Sequence, residues 1–192
     1  MPSQDGTYRL IVEAADALFY ESGFDGASFA DIATVVNISR GNFYYHFKTK
    51  DDLLGAVIER RLARTAEMLQ AWDVDSAPLM RIRSFIGMLV DNRAPIMRHG
   101  CPVGTLCSEL AKLDHTRLPQ ANRLFDLFRD WLALQFEALG RSGDAKNLAM
   151  HLLVRSQGVA TLLNAFKDED FLQREVDAMN AWLDAQIPIP AP

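Results

Sequence analysis

Only two cysteines, Cys101 and Cys107, occur in the 192 residues, too few for the disulfide framework of a secreted scaffold. No segment approaches the roughly 18 uninterrupted apolar residues of a membrane span. The N-terminus, Met1-Pro-Ser-Gln-Asp-Gly6, lacks both the basic start and the apolar run of a secretory signal. Apolar residues never alternate convincingly with period two, so strands are not expected, and no internal repeat is visible. His99, His115 and His151 lie far apart without carboxylates at ligand spacing, which argues against a metal site. No cofactor is implied. What remains, at 49% hydrophobic and 23% charged residues, is a globular chain expected to be soluble and cytoplasmic.

One local scarcity is more informative than these. The chain carries a net charge of −5, yet residues 39–50 contain no carboxylate and hold Arg40, Lys48 and Lys50, with His46 beside them. Residues 1–38 carry Asp5, Glu13, Asp16, Glu21, Asp25 and Asp31 against Arg9 alone. The local field decides whether a polyanion is bound, so the acidic total does not exclude nucleic acid.

The pattern reads as helix after helix. Ile11, Val12, Ala15, Leu18 and Phe19 form one stripe of a first helix over about 6–22. Gly23 supplies a left-handed C-cap and Phe24 its hydrophobic contact. Ser28 and Asp31 form a capping box for a second short helix, with Ile32, Ala33 and Val36 inward. Asn37 suits the positive φ of a tight turn. Ser39 caps a third helix over 39–45, and Thr49 a fourth that runs to about Trp72. Further helices are expected over 78–98, 102–112, 119–139, 144–167 and 169–186, before a non-helical tail from Ile187. The fold class is therefore all-α, with about nine helices.

Two short helices joined at Asn37-Ile38 make a helix-turn-helix. The second is so short that its N-terminal end, not its side, has to meet a partner, and amides and dipole there favour phosphate. Gly41 removes a side chain where a backbone could close on a base edge, and Arg40 could bond a guanine bidentately or a phosphate. Tyr44, Tyr45 and His46 offer polar tips on flat bodies, suited to fixing register on a phosphate backbone. Phe43 and Phe47 read as core.

Three stretches carry a family resemblance: Ala17-Leu-Phe-x-x-x-Gly-Phe24, Ser28-Phe-Ala-Asp-Ile-Ala33, and Ser39-Arg-Gly-Asn-Phe-Tyr-Tyr-His-Phe-Lys-Thr-Lys-Asp-Asp-Leu53. Residues 4–64 resemble the DNA-binding domain of the TetR/AcrR family of one-component regulators, with Asn37 standing where the family usually has glycine. The resemblance implies a DNA-contacting set of Ser28, Ser39, Arg40, Gly41, Asn42, Tyr44, Tyr45, His46 and Lys50. Arg40 and Gly41 would approach bases, Ser28 would donate to a phosphate as well as cap, and Lys50 would neutralise a phosphate.

For residues 65–187 the resemblance is one of architecture. It implies a body that binds a small-molecule effector and forms a homodimer through the last two helices, so that two heads read a palindromic double-stranded operator. Candidate dimer positions are Leu148, Leu152, Arg155, Val159, Leu162 and Phe166 on one helix and Leu172, Val176, Met179 and Leu183 on the other. Candidate effector-pocket residues are Phe85, Met88, Leu89, Met97, Leu106, Phe125, Phe128, Trp131, Leu163 and Phe166. The expected mechanism is a repressor released by its effector, with the fourth helix as the link between head and body.

Cys101, at or just before a helix N-terminus, and Cys107, inside that helix, leave open a redox- or electrophile-sensing variant of this regulator. A cysteine-nucleophile enzyme has no base placed by sequence to support it. A helical protein-interaction scaffold would leave Arg40, Gly41 and Lys50 unexplained.

Overall fold

The computed structural model describes residues 4–187, and every regular element among them is helical. The tail expected to be non-helical lies, from residue 188 on, outside the described residues. In chain order the helices are α1 (Gln4–Ser22), α2 (Phe29–Val36), α3 (Arg40–His46), α4 (Lys50–Asp75), α5 (Pro78–Asp91), α6 (Arg93–His99), α7 (Pro102–Lys112), α8 (Leu118–Ala138), α9 (Ala145–Phe166) and α10 (Glu169–Ala185). The continuous helix expected over 78–98 is two, because α5 stops at Asn92. Pro95 explains the break: it has no N–H to bond the Asp91 carbonyl, and its ring would clash there.

Two compact units make up the chain. One holds the residues up to Arg64 together with Pro102–Leu124; the other holds Thr65–Cys101 and everything from Phe125 on. The first unit therefore takes in α7 and the start of α8, a stretch that chain order alone assigns to the body.

Local capping explains the first unit's outline. α1 ends at Gly23, whose φ of 80° is the left-handed conformation that stops a helix. Ser28 and Asp31 form both halves of a capping box on α2, and Asn37 ends α2 at φ 56°. Thr49 Oγ1 accepts the Asp52 N–H at 3.0 Å to open α4. Ile11, Val12, Ala15 and Phe19 of α1, Ile32 of α2, Phe43 and Phe47, and Leu53, Leu54, Val57 and Ile58 of α4 are buried in one core. α7 packs on α1. There Glu109 accepts the backbone N–H groups of Phe24 and Asp25 at 2.9 Å each, while Arg61 donates to Asp16 at 2.6 Å and to the Pro102 carbonyl at 2.7 Å.

In the second unit α10 packs on α5 and α9, and α6 packs on α9. Leu172, Val176, Met179 and Leu183 are buried here, as are Leu148, Leu152 and Val159. These residues belong to the protomer's own core, whereas Leu162 and Phe166 of the same candidate set are exposed. Arg83 ties α5 to α10 through Asn180 at 2.9 Å and Asp184 at 2.6 Å. Asn164 donates to the Ile96 and Met97 carbonyls at 3.1 and 3.0 Å, and Lys167 donates to Met97 as well, so α9 satisfies the last turn of α6.

A different row of α9 faces outward. Met150, Val154, Gly158, Leu162 and Phe166 are all exposed and recur every four residues, forming a single ridge. Phe166 is 70% exposed. It lies on that outer ridge rather than in an interior pocket, which corrects its place among the pocket candidates.

Candidate nucleic-acid interface

α2 and α3 form the expected helix-turn-helix. The turn closes through Asn37 N–H to Thr34 O and Ile38 N–H to Ala33 O, each 3.1 Å, with Asn37 supplying the left-handed residue. Ser39 Oγ accepts the Asn42 N–H at 3.3 Å and starts α3. Lys48 Nζ reaches back to the Tyr44 carbonyl at 2.5 Å, satisfying an end carbonyl of α3.

This α3 is two-faced. Phe43 and Phe47 are buried, and Phe43 packs on Phe29 with ring centroids 4.5 Å apart. Arg40, Gly41, Asn42, Tyr44 and Tyr45 are exposed, Tyr45 at 62%. His46 is half-buried, its ring edge-on to Tyr45 at 5.2 Å. A Cβ built on Gly41 meets nothing within 4 Å. The fold therefore has no need of a glycine at this position, and the space it leaves opens outward. Beside Arg40 lies a shallow depression of about 250 Å³, walled by Phe29, Ala30, Ala33 and Tyr44.

Two of the anticipated contacts look different in three dimensions. The Ser28 hydroxyl donates to Asp31 Oδ2 at 2.6 Å. Its single proton is engaged there, so Ser28 serves as a cap in this structure. The same bonds hold the Asp31 carboxyl below the usual carboxylate range, the Ser28 hydroxyl contributing most and the Ser28 N–H next. Lys50 donates to the Asp25 carbonyl at 3.1 Å and sits 4.6 Å over the Phe24 ring, so it braces the α1–α2 turn. An ammonium has three donors, and this one keeps others for a second partner.

One neighbour of this surface escaped the sequence reading. Tyr8 of α1 is 41% exposed, stacks on Phe47 at 5.0 Å and lies edge-on to His46 at 6.3 Å. Its position on α1, far from the motif, hid it.

The pocket candidates fall in both units. Leu106 is buried in the first. Phe85, Leu89, Phe128, Trp131 and Leu163 are buried in the second, where Met88, Met97 and Phe125 are half-buried. Phe85 and Phe128 rings lie 5.6 Å apart, and Trp131 Nε1 donates to Asp73 at 3.1 Å. Cys107 is buried within α7, which shields it from a reagent, and Cys101 is half-buried just before it; the two form no disulfide. Among the described residues no helix is long and apolar enough to cross a membrane.

Comparison with known proteins agrees with this geometry. The profile of bacterial regulatory proteins of the tetR family matches residues 11–57. An uncharacterised HTH-type transcriptional regulator from the lacX 3′ region of Lactococcus lactis is 28% identical, over 90% of this chain and 91% of its own length. The HTH-type transcriptional repressor DhaR of Mycobacterium sp. strain GP1 is 24% identical over 60% of this chain and 58% of its own length. The crystal structure of a TetR transcriptional regulator from Legionella pneumophila superposes with a TM-score of 0.81 at 26% identity, covering 98% of this chain and 99% of that one.

Proposed function

We propose that the chain, whose residues 11–57 match the tetR family of bacterial regulatory proteins, is an operator-binding repressor whose hold on DNA is released by a small molecule bound in the body. The carrying observation is the two-faced α3, with Phe43 and Phe47 buried beneath exposed Arg40, Gly41, Asn42, Tyr44 and Tyr45. Arg40 and the open backbone at Gly41 approach base edges in the major groove. Asn42, Tyr44, Tyr45, His46 and Lys50 hold the phosphate backbone and set register. Ser39 contributes by fixing the start of the helix. Such a protein works in the cytoplasm, where the chromosome is.

A single α3 reads only a few base pairs, so two protomers act together. The exposed α9 ridge of Met150, Val154, Gly158, Leu162 and Phe166 supports a two-fold interface at this helix. Rows spaced by four residues interdigitate at about −50°, and Gly158 lets the two backbones approach. The functional division is a DNA-binding head over residues 4–64 and an effector-binding and dimerising body over 65–187. Effector binding shifts the population toward a spacing of the two heads that no longer matches successive major grooves. The repressor named among the relatives, DhaR, favours repression over activation.

The test is selection of bound duplexes from a random pool, followed by gel shift at fixed salt. The expected product is a palindrome with half-sites about one helical turn apart. Arg40→Ala and Tyr44→Ala lose operator binding while remaining dimeric. Unchanged affinity in both variants refutes this assignment.

A further inference from the structure

Resting on the DNA-binding reading above, we infer that Tyr8 of α1 is a further DNA-positioning residue, its hydroxyl bonding one backbone phosphate in each half-site just beyond the reach of α3. The two ring contacts of Tyr8 both lead to the far end of the recognition helix. Its ring stacks on buried Phe47 at 5.0 Å and an interplanar angle of 27°, and meets His46 edge-on at 6.3 Å. His46 in turn meets Tyr45 edge-on at 5.2 Å. Tyr8, His46 and Tyr45 thus make one continuous row of polar-tipped rings, of which α3 supplies two and α1 the third.

Exposure says which part of Tyr8 the fold uses. The ring body is seated against Phe47, yet 41% of the residue remains exposed. Phenylalanine at this position would supply the same stacking without carrying a polar tip to the surface. A tyrosine anchored by its ring and left partly exposed holds its hydroxyl with little conformational freedom, so ordering it on a phosphate costs little. A hydrogen bond to an ionised phosphate is among the stronger kinds open to a neutral donor. The residue directly before Tyr8, Thr7, is buried, so the rotation of α1 is fixed at this position and Tyr8 with it. The row carries no carboxylate.

Tyr8→Phe isolates the hydroxyl, because the ring and its stacking stay. With the duplex selected by the full-length wild-type protein as probe, Tyr8→Phe weakens binding roughly fivefold per half-site, hence at least tenfold for the dimer. Melting temperature and dimerisation stay at wild-type values, and the salt slope is unchanged because no cation is lost. Replacing phosphates one at a time by methylphosphonate identifies the contact: one position per half-site weakens wild-type binding and leaves Tyr8→Phe unaffected. If Tyr8→Ala weakens binding while Tyr8→Phe matches wild type, the residue only supports α3 and the inference falls. Identical methylphosphonate profiles for wild type and Tyr8→Phe overturn it equally. A wild-type protein that selects no duplex sinks the regulator reading itself, and this assignment with it.

Discussion

Glu109 Oε2 accepts the backbone N–H of Phe24 at 2.9 Å, across 85 residues of chain. Its second oxygen takes the N–H of Asp25 at the same distance. One carboxylate of α7 thus answers both amides that follow Gly23, where the chain leaves α1 and no helix partner is available. A Cβ on Gly23 would come within 2.9 Å of this carboxylate, so the close approach and the φ of 80° both select glycine. Glu109→Ala lowers the stability of this unit by about 1–3 kcal/mol, and Glu109→Gln, which keeps one acceptor, by less. Hydrogen exchange at the Phe24 and Asp25 amides is the direct readout. Protection in Glu109→Ala equal to wild type means that the bond contributes nothing.

Gly41 separates folding from binding. Alanine there has open space and a helical backbone, so Gly41→Ala leaves the fold intact or stabilises it by up to about 1 kcal/mol. On the proposed approach of a base edge to this backbone, the added methyl stands in the way, and operator affinity falls about tenfold or more. Thermal melting and gel shift on the same preparation check both halves. A variant that binds as well as wild type shows that no base edge approaches this backbone.

Val154 lies on the outward ridge of α9, one turn before Gly158, and is 63% exposed. On the proposed α9 interface, Val154→Asp places two unpaired carboxylates against each other across the two-fold axis, which weakens association by roughly 3 kcal/mol or more. Sedimentation at micromolar concentration then gives a monomer, with helical content preserved. A variant that sediments as wild type moves the interface elsewhere.

Much of the head was legible because its chemistry is local. Ser28 with Asp31, Asn37, Ser39 and Thr49 each act within three or four residues, and their caps form where the spacing places them. The inward and outward faces of α3 follow likewise from Phe43 and Phe47 being four apart. The break at Asn92 was also written locally, in Pro95, though a continuous apolar pattern on either side masks it. What local pattern cannot carry is choice of neighbour. The stripe of Leu172, Val176, Met179 and Leu183 is unmistakable, but periodicity does not say that α5 and α9 cover it. Nor does any feature near Glu109 reveal that its partners are Phe24 and Asp25, or near Tyr8 that its ring rests on Phe47.

Two terminal carbonyls of α6 are tied down. Its Ile96 and Met97 oxygens are held by Asn164 and Lys167, one turn of α9 that also carries Phe166 on its outer side. Drawing α6 along its axis has to lengthen or break these bonds, or carry the last turn of α9 with it. The end of α6 is thereby coupled directly to the turn of α9 that carries exposed Phe166.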